Sequence, residues 1–152
     1  MEDKYLNEEQ NLFNSVLSGK KLETTKKAMP HQDEMQILVG KKLKEIFKDN
    51  QRSRLEVVEL GTGIGFTSQK IIDADERINL VSVDKELKMI EEAKENLKSY
   101  IDNGRIEIKE IGALEFLTSL PDNSVDSVAS GFILHNFLRD YREKRYKKFF
   151  AF

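Results

Sequence analysis

Glu59-Leu60-Gly61-Thr62-Gly63-Ile64-Gly65 places three glycines and a carboxylate behind a short β-branched run that begins at Val57. Glycine tolerates positive φ and carries no Cβ, so a ligand can come close to backbone N–H groups. A helix entered from such a loop adds its unpaired first N–H groups and the positive end of its dipole. Outside that context the loop is an ordinary tight turn; between a strand and a helix it is a nucleotide cradle. In the dinucleotide fingerprint, Gly-x-Gly-x-x-Gly, the last glycine serves close helix–strand packing. Here the third glycine comes one residue early, and Phe66 stands in the fingerprint's place. Glu59 also precedes the loop directly; it repels a pyrophosphate but accepts from an ammonium group, directly or through water. Both departures favour a cationic nucleoside ligand over NAD.

Asp84 is the second such residue. It follows Gly65 at close to the roughly 20-residue spacing at which an acidic side chain meets ribose hydroxyls in nucleotide-binding βαβ units. One carboxylate accepts two parallel O–H bonds from a cis-diol; the competing reading is a cap for a helix starting at Lys85. Other chemistries are excluded by composition. The chain has no cysteine, which removes disulfides, thiolate metal sites and thiol nucleophiles together. Its two histidines, His31 and His135, are too far apart to suggest a metal site.

The elements that must hold these residues are legible from periodicity. Met35, Leu38, Val39, Leu43, Ile46 and Phe47 recur at helical spacing, and Lys48 to Ser53 end that helix. The pattern predicts strands at 55–60, at 78–83 ending on Asp84, at 105–111, and at 124–134 after a Leu120-Pro121-Asp122-Asn123 turn. Helices are expected at 67–74, along Leu87, Ile90, Ala93 and Leu97, and at 137–152. Residues 1–29 carry one thin apolar stripe (Leu12, Phe13, Val16, Leu17) and read as a helical arm or lid ending at Pro30. Strands alternating with helices imply an α/β fold with a parallel sheet covered on both faces.

With 152 residues the chain has room for one domain. Charged residues are 34% of it but nearly cancel, 25 basic against 27 acidic, so no global field calls for nucleic acid or membrane. The acidic, polar start MEDKYLNEEQ is unlike a secretory signal, and no apolar run approaches the roughly 18 residues of a membrane span. A cytoplasmic location and no membrane partner are the expectation.

Three stretches, VVELGTGIGFTS (57–68), LVSVDKELKMIEEAKENL (80–97) and LPDNSVDSVASGFILHNF (120–137), together resemble the class I S-adenosylmethionine-dependent methyltransferases over about residues 31–152. The resemblance implies a Rossmann-like sheet, S-adenosylmethionine as cofactor, residues 1–50 as a helical cap and residues 51–152 as the cofactor-binding domain. It places Glu59, Gly61, Thr62, Gly63 and Gly65 around the methionine and ribose end. Asp84 would hold the ribose hydroxyls, Lys85 and Met89 would lie near the adenine, and Gly131 would face the reacting methyl. Where the family commonly has Gly-Asp-Ala, with the Asp accepting from the adenine amino group, this chain reads Ile111-Gly112-Ala113. The Ala113 backbone is then left to meet the adenine edge.

The resemblance implies methyl transfer to an acceptor, a small molecule first and a tRNA base second. The alternative is a noncatalytic or degenerate cofactor-binding module, or a fragment of a longer methyltransferase. No catalytic residue is assigned. His135 follows the last expected strand and is either a general base or part of the cofactor wall, the latter favoured; His31 reads as an exposed turn residue or a lid contact. Arg139, Arg142, Lys144, Arg145, Lys147 and Lys148 read as a solvated helix face, with RNA phosphates as the alternative. The family sheet continues past a fourth strand, so the sequence reads as truncated there. Its Phe149-Phe150-Ala151-Phe152 end and unpaired sheet edge lead to the expectation of a missing C-terminal segment or a homodimer that completes the sheet.

Overall fold

A computed structural model describes residues 31–131. The expectations for the N-terminal stripe, His135, the basic tail and the terminal phenylalanines lie outside the described residues. Strands β1 (Leu55–Leu60), β2 (Ile78–Asp84), β3 (Ile106–Glu110) and β4 (Ser127–Ser130) form one parallel sheet in the order β3-β2-β1-β4. Helices α1 (Gln32–Phe47), α2 (Phe66–Ile72), α3 (Leu87–Asn96), α4 (Lys98–Asp102) and α5 (Ala113–Ser119) connect and cover the strands. The expected Rossmann-like arrangement is present. Strand β4 begins at Ser127 rather than at the expected Ser124, because Asp126 occupies the edge before it: its carboxylate accepts from Glu56 N at 2.8 Å while its own N–H donates to Glu56 O.

Strand alternation divides the core into two layers. Leu55, Val57, Ile78, Leu80 and Ile106 turn to one face, where Leu43 and Phe47 of α1, Ile71 and Ile72 of α2, and Ala93 of α3 pack on them. Val58, Leu60 and Val83 turn to the other face, against Ala113, Phe116 and Leu117 of α5. Burial on both sides is why β1 reads as a nearly unbroken apolar run. Glu59 interrupts that run on the first face, and the register sets Ser82 of β2 directly beside it.

The expected buried face of α1 is corrected. Met35, Leu38 and Ile46 of α1 are exposed, and the buried positions are Gln36, Gly40, Leu43 and Phe47. The helix turns this face inward because Gly40 lets it approach α2: a Cβ there would lie 2.6 Å from the Lys70 carbonyl oxygen. Phe47, 1% exposed, anchors the contact, and burial of such a side chain is worth about 1.5–3 kcal/mol. Leu43 and Phe47 of helix α1 thus share the sheet's core. Helix α5 is not legible in the sequence, because its apolar triplet Ala113, Phe116 and Leu117 is at helical spacing but spans barely one turn.

Candidate active site

In open parallel sheets, ligands bind beyond the carboxyl ends of the strands where the chain changes direction. Here that point lies between β1, whose next strand β2 is on one side, and β4, which pairs on the other. Glu59, Leu60 and the glycine loop leave β1 there; Ser130 and Gly131 end β4 beside them.

The loop is held from below and from the side. Gly61 N and Thr62 N both donate to Val83 O, at 2.9 and 3.1 Å, and Gly65 N donates to Thr62 O at 3.0 Å. Asn96 Nδ2, from α3, donates to Ile64 O at 2.9 Å. Gly61, Gly63 and Gly65 all have positive φ (84°, 52° and 91°). The last two serve different ends. A Cβ at Gly63 would meet open space, which suits a residue lining a ligand cradle; one at Gly65 would lie 2.8 Å from Leu97 Cδ1. Gly65 therefore makes room for the segment after α3. A Cβ placed at Gly131 would lie 3.4 Å from Thr67 Oγ1, an ordinary contact.

Asp84 uses both carboxylate oxygens: Gly63 N donates to Oδ2 at 2.9 Å and Glu86 N to Oδ1 at 3.0 Å. The expected cap role is thus present in part, although α3 starts at Leu87 with Glu86 as its N-cap. Each oxygen keeps a further lone pair, so the carboxylate still suits a pair of hydroxyls. Lys85 is exposed and Met89 half-buried just beyond. Gly112 is the N-cap of α5 with φ −64°, a conformation open to any residue. A Cβ at Gly112 would lie 3.9 Å from Glu115 Oε2, so α5 brings a carboxylate to the spot where the chain lacks one. Ala113 has its side chain in the core below.

Glu59 is fully buried. Its Oε2 accepts from Ser68 Oγ at 2.5 Å and from Ser82 Oγ at 2.6 Å, while Oε1 has no partner. Burial pushes its carboxyl up to about 7; the two serine hydrogen bonds pull the other way, and the nearby Asp84 charge adds to the rise. An unsatisfied acceptor in an apolar layer costs stability unless something bonds to it. Ser130 Oγ, on the opposite sheet face, is likewise buried and unpartnered. The sequence reading missed Ser68, Ser82, Asn96 and Ser130. Of these, Ser82 left a signal, a lone hydroxyl between Val81 and Val83 in a buried strand.

His31 lies in a turn, exposed, with Nδ1 3.0 Å from Glu34 Oε2. Among the described residues, no helix is long and apolar enough to cross a membrane. A groove of about 400 Å³ lies on the α5 face, lined by Val58, Val81, Phe116, Leu120 and Val125 among others, and shares no residue with the strand-end cluster.

The family described as "Methyltransferase domain" matches residues 51–143, from before β1 to beyond β4. The chain belongs to the class I S-adenosylmethionine-dependent methyltransferase family. No curated protein matches it. Among solved structures, this methyltransferase chain is similar to the O-methyltransferase TomG of Streptomyces achromogenes, in complex with SAM (18% identity, TM-score 0.56, 97% of this chain and 67% of that one). It is also similar to the bifunctional kinase–methyltransferase WbdD (18% identity, TM-score 0.61, 80% and 27%). A third is the plantazolicin methyltransferase BpumL in complex with SAH (12%, TM-score 0.52, 84% and 48%). At these identities the likeness is one of fold. The chain spans about half or less of several other solved structures that it matches, 47%, 51% and 26% of their lengths.

Proposed function

We propose that this methyltransferase domain binds S-adenosylmethionine at the carboxyl ends of β1, β2 and β4 and transfers its methyl group to a small-molecule acceptor. The observation that carries the reading is the buried, unpartnered Glu59 Oε1 beneath a glycine loop whose other side is tied to Asp84. These acceptors fit the group: a carboxylate oxygen for an ammonium, a carboxylate with lone pairs for a cis-diol, and an open Gly63 between them.

Bound S-adenosylmethionine would supply an activated methyl on a sulfonium. The chain's own residues align and bind. Asp84 holds the ribose hydroxyls while still fixing the loop through Gly63 N. Glu59 accepts from the amino-acid end, and an ionised carboxylate in an apolar layer attracts cations strongly. Glu115 accepts from the adenine edge in place of the absent carboxylate at Gly112. Lys85 and Met89 flank that edge, and Gly131, with no side chain, leaves space open at the end of β4. In-line transfer relies on such positioning; an oxygen or nitrogen acceptor also gives up a proton, and no described residue is assigned to take it.

Titration calorimetry with S-adenosylmethionine and with NAD tests the binding reading; binding of NAD alone, or of neither, refutes it. Transfer of a labelled methyl to a metabolite panel, with tRNA as the second acceptor class, tests catalysis. Tight binding without turnover on any acceptor supports the noncatalytic module instead, a reading favoured by the plain glycine at 112.

A further inference from the structure

Three hydroxyls meet around Glu59. Ser82 Oγ and Ser68 Oγ both donate to Oε2, and Thr62 Oγ1 lies 2.6 Å from Ser82 Oγ. The one proton of Ser82 is committed to Glu59, so Thr62 is the donor to Ser82. The three come from separate segments: the loop, the first turn of α2 and, directly across in register, β2. All four side chains are buried. Apolar side chains in these places would avoid the desolvation that a buried carboxylate and its hydroxyls incur. Stability therefore gives no reason for the cluster. Its geometry also loads one carboxylate oxygen twice and leaves the other empty.

We infer that Ser68 and Ser82 are positioning residues that clamp Oε2 of Glu59, so that Oε1 is presented to a ligand's ammonium group, directly or through one water. Thr62 ties that orientation to the glycine loop, so the loop and the carboxylate move together. The inference rests on the nucleoside-binding reading above. Among the described residues, the charged group whose field reaches Glu59 is Asp84, at the end of β2.

The test compares two ligands with the same nucleoside: S-adenosylmethionine, and 5′-methylthioadenosine, which lacks the amino acid. Methylthioadenosine lacks the sulfonium charge along with the amino acid, so the Kd ratio of the two reads what the cationic amino-acid end contributes as a whole. Ser68→Ala and Ser82→Ala are each expected to lower the preference for S-adenosylmethionine about tenfold, the worth of one charge-assisted hydrogen bond, and to leave methylthioadenosine within about twofold. Equal weakening of both ligands, or an unchanged preference, overturns the inference. Should the variants fail to fold, wild-type protein decides. Its preference is expected to rise from about pH 5.5 to about 7.5 as the carboxyl ionises, and a flat profile overturns the inference. Wild-type protein that binds neither ligand overturns the proposed function as well; binding of both with an unaltered preference overturns the inference alone.

Discussion

Exchanging Glu59 for Gln keeps the side chain's shape and both serine donors but removes a charge that the fold buries completely. The carboxyl, ordinarily at 4.5, is held at about 7 by that burial. The difference corresponds to about 3 kcal/mol. Its sign follows from proton binding: between these two values the folded chain holds a proton that the unfolded chain has already released. Stability from this group is therefore fully present below about pH 4.5 and is lost as pH rises to about 7. Glutamine resembles the protonated acid at every pH. Its carbonyl oxygen accepts from Ser68 and Ser82, and its amide hydrogens sit where the acid's proton would, equally without a partner. Ligand-free Glu59→Gln is thus expected to match wild type near pH 4.5. It should be about 3 kcal/mol more stable at about pH 8. Urea unfolding of both proteins at about pH 4.5, 6 and 8 measures this, and titrating groups that do not interact with Glu59 cancel in the difference. A difference that stays constant with pH, or a wild type that is the more stable at pH 8, would refute the reasoning. The variant should also lose preference for the amino-acid-bearing ligand.

Gly40→Ala gains helix propensity of about 1 kcal/mol, but its Cβ would stand 2.6 Å from the backbone oxygen of Lys70. Overpacking of about 1–3 kcal/mol wins, and thermal unfolding should show a net loss. Gly65→Ala combines φ 91° with a Cβ 2.8 Å from Leu97, so chemical denaturation should show about 2 kcal/mol or more of destabilisation. Gly63→Ala, with the same backbone problem but open space, should cost about 1 kcal/mol. Asp84→Ala removes the acceptor of Gly63 N and Glu86 N together with the proposed ribose contacts, and calorimetry should find both nucleoside ligands weakened about tenfold or more. Glu115→Ala alters an exposed residue and should leave stability within about 0.5 kcal/mol. Affinity for both adenine nucleosides should nevertheless fall about tenfold, and unchanged affinity removes Glu115 from the site.

What the sequence by itself determined was local. Val57 to Leu60 with the glycines behind them read as strand and loop because β-branching and glycine act within a few residues. Asp84 read as a ligand-facing carboxylate because it ends a strand at the right distance from that loop. Tertiary structure decided everything that depends on a neighbour distant in the chain. Met35, Leu38 and Ile46 have the hydrophobicity of core residues, yet α1 turns on Gly40, because a missing Cβ against Lys70 matters more to the approach of two helices than the apolar stripe does. Gly65 and Gly63 look alike in the loop; Leu97, beyond α3, separates a packing glycine from one that lines the cradle. Glu59 read as an acceptor, but that one oxygen is clamped and the other left open depends on Ser82, brought beside it by the register of a parallel strand pair, and on Ser68 across the loop. Residue type sets which bonds a side chain can make; only packing sets which of them are already taken.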